Sequence, residues 1–128
     1  MSNVYPFMSY KDAPAAIEWL CNAFGFEKKA VYANEDGTIA HAELSAGDGL
    51  IMLATEKDGP QNLRSPKGLG FVTQGVYIAL DEVDEHFARA KAAGAEIVME
   101  PTDQDYGSRD YSARDPEGHH WSFGTYRP

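Results

Sequence analysis

The sequence has little of three features that mark specialised classes of protein. Its single cysteine, Cys21, cannot form a disulfide within the chain, which is typical of proteins from a reducing compartment. No apolar run approaches the roughly 20 residues that span a bilayer, and the chain does not start with a basic segment followed by an apolar one. We therefore expect a cytoplasmic protein with no membrane partner and no secretory leader.

Basic residues are also scarce. The 11 Lys and Arg residues are outnumbered by 20 Asp and Glu residues, which gives a net charge of −9. A surface of this sign repels nucleic acids, so we expect no nucleic-acid partner, whereas it attracts a cationic small molecule. The 43% of hydrophobic residues suffices, in a chain of 128, for one domain around one principal core.

The first half of the chain has the pattern of one strand, one helix and three further strands. Asp12 can cap the helix, and Gly25 can end it in a left-handed conformation. The apolar side chains between them recur at helical spacing: Ile17, Leu20, Cys21 and Phe24. The predicted strands cover residues 4–8, 26–32, 38–45 and 50–54.

The second half repeats this order. Asp81 is predicted to cap a helix that carries Val83, Phe87 and Ala90 on one face, and Gly94 is predicted to end it. The predicted strands cover residues 76–80, 96–99, 109–114 and 119–126. The glycines that end the helices and close the last hairpins keep a constant offset, since 94 − 25 and 118 − 49 both equal 69.

We therefore predict a single α+β domain of two tandem β-α-β-β-β modules. Module 1 covers about 1–55, a Gly- and Pro-rich linker about 56–75, and module 2 about 76–128. A linker of this length is either a crossover between the modules or a mobile binding loop, or both. A ferredoxin-like domain is the main alternative, but it has one β-α-β unit in each half and leaves the additional strands unexplained.

Two segments resemble a known family. The stretch from Asp12 to Leu20, followed by the Phe24-Gly25-Phe26 turn, resembles the first helix of the glyoxalase/bleomycin-resistance (vicinal oxygen chelate) superfamily. The run Tyr106–Gly124, with its Asp-Pro-Glu-Gly hairpin, is similar to the bleomycin-resistance or glyoxalase-like subgroup. The resemblance implies two curved half-barrel sheets around a cleft. It also implies a homodimer, with the cleft formed within one chain or between two chains.

The resemblance also implies where a metal would lie, with one ligand on the first strand and one on the last strand of each module. Those positions fall on Tyr5, Tyr77, Ser122 and either Met52 or Leu53. Divalent metals prefer imidazole, carboxylate or water oxygen, and phenol, hydroxyl and apolar groups are poor substitutes. We therefore predict no metal at this site and no cofactor.

The histidines elsewhere in the sequence do not form an evident alternative metal site. His119 and His120 are adjacent on a strand and point to opposite faces, so they cannot share one ion. His41 and Glu43 lie two apart and share a face, so they can supply two metal ligands, but no third is evident. A polar pair on the sheet is the alternative interpretation.

Aromatic and polar side chains on the predicted strands indicate a ligand-binding cleft. If Ser122 faces the cleft, alternation along the strand puts His120 beside it and directs Trp121 and Phe123 under the helices. Such a cleft suits a flat organic molecule. The predicted ligand-binding residues are Tyr5, Phe7, His41, Tyr77, Tyr106, Arg109, His120 and Ser122.

Arg109 is the main cation of the predicted rim, together with Tyr106 and Gly107. Its guanidinium can pair with a carboxylate or phosphate of a ligand. The alternative is an ordinary surface ion pair with Asp105 or Asp110.

These observations favour metal-independent binding of a small planar or aromatic organic molecule, of the kind that sequesters a drug, over catalysis. The alternative is a metal-dependent isomerase, lyase or dioxygenase of the same superfamily, with its site displaced to His41 and Glu43. A third interpretation is a module whose main role is dimerisation or regulation. The sequence has no nucleophile elbow and no phosphate-binding glycine loop that would indicate other chemistry.

Overall fold

The computed structural model describes residues 3–128. Module 1 contains β1 (Phe7–Tyr10), α1 (Ala13–Phe24), β2 (Glu27–Ala33), β3 (Ile39–Ala46) and β4 (Gly49–Thr55). Module 2 contains β5 (Gly75–Ala79), α2 (Val83–Ala92), β6 (Glu96–Asp103), β7 (Arg109–Arg114) and β8 (His120–Gly124). Neither helix is long and apolar enough to cross a membrane, in the part of the chain that is described.

Each module folds into one four-stranded sheet. The strand orders are β1-β4-β3-β2 and β5-β8-β7-β6, and in both sheets the first and last strands of the module pair in parallel. The order of elements is β-α-β-β-β in both halves, so the topology excludes the ferredoxin-like alternative. The prediction of two open, curved sheets built by duplicated modules is confirmed.

Helix α1 begins and ends where its sequence predicts. The Asp12 carboxylate accepts a hydrogen bond from an amide of the first turn at 3.2 Å, and Gly25 ends the helix with a φ of 75°. Helix α2 begins differently from the prediction, because its cap is Glu82, whose side chain makes no capping bond. The predicted cap, Asp81, instead accepts a hydrogen bond from Arg127 at 3.1 Å.

Strand β1 lies further along the chain than the predicted 4–8. Pro6 has no amide hydrogen to donate to a ladder, and the parallel pairing with β4 begins at Phe7, opposite Met52. The side chain of Tyr10, only 1% exposed, then fixes the other end of the strand in the core. The prediction placed this strand about three residues too early because it relied on local apolar residues rather than on pairing.

The two modules share one core. Trp121 and Phe123 of β8 are fully buried, as predicted, and both rings contact Phe24 at the end of α1. The indole nitrogen of Trp19 on α1 donates to the carbonyl of Ala93, just after α2, at 2.9 Å. The helix-facing sides of both sheets therefore pack toward the same centre. The opposite side of each sheet, called the outer face below, remains accessible.

The turn between β7 and β8 begins with a buried carboxylate, that of Asp115. Its side chain accepts hydrogen bonds from the Tyr10 hydroxyl at 2.6 Å and from the Trp121 indole at 3.0 Å. It also accepts bonds from two backbone amides of its own turn, both at 3.1 Å. Burial, with the neighbouring carboxylate, raises the pKa of the Tyr10 phenol well above its usual value. Asp115 thus joins β1 of module 1 to β8 of module 2.

Glu117, in the same turn, holds the start of α1 and the linker. It accepts hydrogen bonds from the amides of Lys11 and Asp12 at 2.6 and 2.9 Å, and from the Ser65 hydroxyl. The Ser65 amide donates in turn to Glu56, at the end of β4, at 2.9 Å. Because Glu117 is only 6% exposed, these donors replace the water that a carboxylate would otherwise require.

Replacing Glu117 by alanine is expected to lower the free energy of unfolding by about 2–4 kcal/mol. The two amides and the hydroxyl lose their acceptor, and each buried donor left unsatisfied costs about 1–3 kcal/mol. Glu18→Ala is the matched control, because Glu18 lies on the surface of α1 with its side chain 68% exposed. Urea denaturation would measure both variants, and equal losses would contradict the bridging role of Glu117.

The imidazole of His86 on α2 predicts a pH dependence of stability. Its Nε2 donates to the Phe24 carbonyl at 2.9 Å, so its Nδ1 accepts from the Tyr111 hydroxyl. Burial lowers the pKa of His86, and the positive charge of Arg89 contributes to the same direction. Just below about pH 6.5, the His86 imidazole is therefore protonated in the unfolded chain and stays mainly neutral in the folded protein.

The contribution of neutral His86 to the free energy of unfolding is complete above pH 6.5. It is lost as the pH falls from 6.5 toward the lower pKa that His86 has in the folded protein. The loss reaches at most about 1.4 kcal/mol per pH unit for one proton. NMR titration of the imidazole would measure the pKa directly, and His86→Gln should flatten the fall in stability below pH 6.5. A His86 pKa at or above 6.5 in the folded protein would contradict the prediction.

Candidate functional site

Two cavities adjoin β1 and together form a groove, called the β1 groove below. One, of about 680 Å³, lies between β1 and β5 under the linker, and the other, of about 520 Å³, lies on the outer face of module 1. Both volumes are within the range of small-molecule sites. Four residues line both cavities: Phe7, Met8, Ser9 and Leu63.

The linker supplies much of the apolar wall of the groove. Leu69 and Phe71 line the larger cavity and are 59% and 66% exposed, and Phe7 on the opposite wall is 57% exposed. The linker is anchored near its middle by the Ser65 contacts. Residues 57–63 border the smaller cavity, and the larger is bordered by Leu63, Arg64, Pro66, Leu69 and residues 71–74. The linker is therefore a crossover between the modules that also borders both cavities.

Beside Phe7, the outer face of module 1 is apolar. Met52 of β4 pairs with Phe7 of β1, Ala54 pairs with Ser9, and all four line the smaller cavity. Strand β3 adds polar side chains to this face, where His41 hydrogen-bonds Glu43 at 3.0 Å and stacks against Tyr32 at 6.2 Å between ring centroids. The predicted pairing of His41 with Glu43 on one face is confirmed.

The outer face of module 2 is polar in comparison. His120 Nε2 lies 3.2 Å from the Ser122 hydroxyl, which lies 2.9 Å from the Ser112 hydroxyl. Gly75 on the neighbouring strand makes room for His120, because a side chain there would meet the imidazole at 2.9 Å. Burial lowers the pKa of His120, with Arg114 adding to the effect. The imidazole is therefore neutral near pH 7 and has one N–H donor and one acceptor nitrogen.

The register corrects one of the predicted metal positions. Ser122 pairs with Tyr77 across β8 and β5, and its counterpart Met52 pairs with Phe7 across β4 and β1. Phe7, and not Tyr5, therefore occupies the first-strand position of module 1, because Tyr5 precedes the strand. The ambiguity between Met52 and Leu53 is also resolved, since Leu53 is 1% exposed and faces the helices.

The four side chains at these positions do not fit a divalent metal. A phenyl ring, a thioether, a phenol and a hydroxyl include no carboxylate, no imidazole and no thiolate. The phenol of Tyr77 is a still weaker ligand because burial raises its pKa, as does the nearby Asp110. Within residues 3–128, no three His, Cys, Asp or Glu side chains form a metal-binding group, so His41 and Glu43 lack a third partner.

Arg109 is directed away from the groove. It forms ion pairs with Asp84 of α2 and Asp103 of β6, both at 3.0 Å. The sequence predicted an ion pair with Asp105 or Asp110 as the alternative to ligand binding, so the type of contact is as predicted and the partners differ. The reason is alternation along β7, which places Arg109 on the side of α2 and its neighbour on the outer face. The prediction of Arg109 as a ligand-binding residue is therefore not supported by its position.

Asp110, which sequence reasoning treated only as a partner for Arg109, lies on the outer face instead. It accepts hydrogen bonds from Tyr106 at 2.9 Å and from Ser108. Tyr106 thus belongs to this group rather than to the lining of the β1 groove. Alternation along β7 could have predicted this position, since Ser112, two residues further along the strand, also lies on the outer face.

Of the eight predicted site residues, the structure brings five to the groove. Tyr106 and Ser122 lie beyond it on the outer face of module 2, and Arg109 points to α2. The residues that line the two cavities are Tyr5, Phe7, His41, Tyr77 and His120.

Comparison with known proteins identifies the family. The sequence profile of the Glyoxalase/Bleomycin resistance protein/Dioxygenase superfamily matches residues 5–123. An uncharacterised protein of Mycobacterium bovis is 33% identical over 123 residues, which cover 93% of this chain and 80% of that protein. The crystal structure of TioX from Micromonospora sp. ML1 is 34% identical, with a TM-score of 0.78 over 99% of this chain and 98% of that chain.

A more distant neighbour shows the fold alone. The fosfomycin resistance protein FosX from Listeria monocytogenes is 14% identical, with a TM-score of 0.71 over 98% of this chain and 92% of that chain. The profile match covers nearly the whole chain, and the duplicated β-α-β-β-β topology agrees with it. This chain belongs to the glyoxalase/bleomycin resistance protein/dioxygenase superfamily.

Proposed function

We propose that this protein binds a small planar or aromatic organic molecule in the β1 groove, without a metal and without a cofactor. The observation that carries the proposal is the chemistry of four positions, where Phe7, Met52, Tyr77 and Ser122 offer apolar and weakly polar surface instead of ligands. Three of these four line the groove: Phe7 and Met52 side by side, and Tyr77 in the larger cavity. A flat ligand gains more from such surface than a metal does.

The exposure of apolar side chains around the groove supports the same proposal. Phe7, Leu69 and Phe71 each leave more than half of their surface accessible and border one cavity. A cluster of large apolar side chains of this kind is costly to leave in water, and it commonly marks a binding site. The aromatic rings offer two walls between which a planar molecule can stack.

Sequestration is the biological role that suits this chemistry. A protein that holds a toxic molecule needs affinity and no reacting groups, and within residues 3–128 no three His, Cys, Asp or Glu side chains are grouped to hold an activating metal. We also propose a cytoplasmic homodimer, in which a second copy covers part of the outer faces.

Binding of acridine should depend on Phe7. We expect Phe7→Ala to weaken binding about tenfold, because a stacked aromatic contact contributes about 0.5–1.5 kcal/mol beyond the area it buries. Val98→Ala is the control, since Val98 is an exposed apolar residue of β6 outside both cavities. Titration calorimetry is the suitable measurement, because Trp19 and Trp121 both lie on the helix side, away from the groove.

Acridine and phenazine together test the class of ligand. Saturable binding of either, reduced by Phe7→Ala and unchanged by Val98→Ala, is the expected result. Absence of binding by both compounds, or equal effects of the two substitutions, would refute the proposal.

A metal-dependent enzyme is the second candidate function, favoured by a single contact. His41 and Glu43 lie 3.0 Å apart on an accessible face and present two metal ligands. Because two ligands bind weakly, we expect less than stoichiometric zinc, manganese or iron after incubation with each metal and desalting. Elemental analysis checks this. One equivalent of metal, lost in His41→Ala and retained in His119→Ala, would instead establish the displaced site.

A further inference from the structure

Asp110 has no basic partner, unlike several acidic residues of the same module. Asp81, Asp84 and Asp103 each pair with an arginine at 3.0–3.1 Å, and Glu96 pairs with Arg114 at 2.7 Å. Within residues 3–128, Asp110 forms no ion pair, although it is partly buried on the outer face of module 2. Its hydrogen-bond donors are hydroxyls, those of Ser108 and Tyr106. The negative charge of this carboxylate is therefore not neutralised by the protein.

Two tyrosines, Tyr106 and Tyr77, lie beside this carboxylate, and the ring of a third, Tyr126, packs against Tyr106. Tyr106 donates to it, and the rings of Tyr106 and Tyr126 meet edge to face, with centroids 6.2 Å apart and planes at 89°. The Tyr77 hydroxyl donates to the Tyr126 carbonyl at 2.7 Å and lies close enough to Asp110 for the carboxylate to raise the phenol's pKa. Tyr106 and Tyr126 are 61% and 52% exposed, so both residues are accessible from solvent.

Gly124 provides the space that the carboxylate occupies. It pairs with Asp110 across β7 and β8, and any side chain at this position would collide with the Asp110 carboxylate and the Tyr77 hydroxyl. The carboxylate is therefore folded over the end of β8 and lies beside the tyrosines instead of extending into water. Arg127, whose charge is felt by Tyr77, is engaged by Asp81 at 3.1 Å and does not fill this place.

We propose that Asp110, Tyr77, Tyr106 and Tyr126 form a binding site for an alkylated ammonium group. A cation beside tyrosine rings is attracted by their π faces, and a carboxylate adds direct charge attraction. Both oxygens of Asp110 already accept hydrogen bonds from hydroxyls. A quaternary or tertiary ammonium suits the site better than a primary one. It has no N–H donor or only one, so it needs few free acceptors from the protein.

The position of Tyr77 links this site to the β1 groove. Tyr77 lines the larger cavity, and its hydroxyl reaches the Asp110 group. A ligand with a planar body in the groove and an ammonium arm over Tyr77 would contact both, and this extension rests on the proposed function. The net charge of −9 favours the approach of such a cation.

Tetramethylammonium tests the site without reference to the groove. We expect saturable shifts of the tyrosine ring protons in NMR titration, with a dissociation constant on the order of millimolar. tert-Butanol, which has a similar size and no charge, should give no saturable shift. Asp110→Asn should weaken tetramethylammonium binding about five- to tenfold, whereas Asp48→Asn, which removes an equal charge from the distant β3–β4 turn, should leave it unchanged.

A second pair of variants tests the aromatic part and guards against misfolding of the Asp110 variant. Tyr126 lies after β8 and is half exposed, so its substitution leaves the core intact. Tyr126→Leu should weaken binding about two- to fivefold, and Tyr126→Phe, which keeps the ring, should not. Failure of tetramethylammonium to bind, or equal effects of Asp110→Asn and Asp48→Asn, overturns the proposal. Acridine binding reduced by Phe7→Ala would stand in that case, so the two proposals fail separately.

Discussion

The structure depends on two buried carboxylates in one turn. Asp115 and Glu117 lie between β7 and β8, yet they accept hydrogen bonds from Tyr10, Lys11 and Asp12, which lie more than 100 residues away. Burying a carboxylate is costly unless its oxygens are supplied with donors, and here hydroxyl, indole and amide groups supply them. The turn therefore fixes β1, the start of α1 and the linker relative to module 2. The shared aromatic core can then pack in a single way.

With the modules fixed back to back through their helices, the outer faces are free to differ. Equivalent positions of the duplicated sheets carry Phe7 and Met52 in one module and Tyr77 and Ser122 in the other. At these positions one face is apolar and the other polar, although the backbone is the same. This division explains how a fold shared with enzymes can support binding, because the chemistry lies in side chains that the core does not constrain.

Much of the fold follows from local sequence. The cap at Asp12, the left-handed Gly25 and the apolar spacing between them predict α1 within a residue at each end, since these signals act over one or two helical turns. The repeat of glycines predicts the duplication, and alternation along β8 predicts the burial of Trp121 and Phe123. Phe7, His41 and His120 reach the groove for the same reason, because strand alternation assigns each of them to a face.

The amino-acid sequence is sufficient to derive the architecture: two β-α-β-β-β modules, their core faces and the poor metal-ligand character of the family's ligand positions. Tertiary structure alone decided the register that replaces Tyr5 by Phe7, the partners of Arg109 and the isolation of Asp110. Periodicity fixes the side of a strand on which a residue lies, and it acts over a few residues. Pairing, ion-pair choice and the meeting of Asp115 with Tyr10 depend on segments distant in sequence, which only the folded chain brings together.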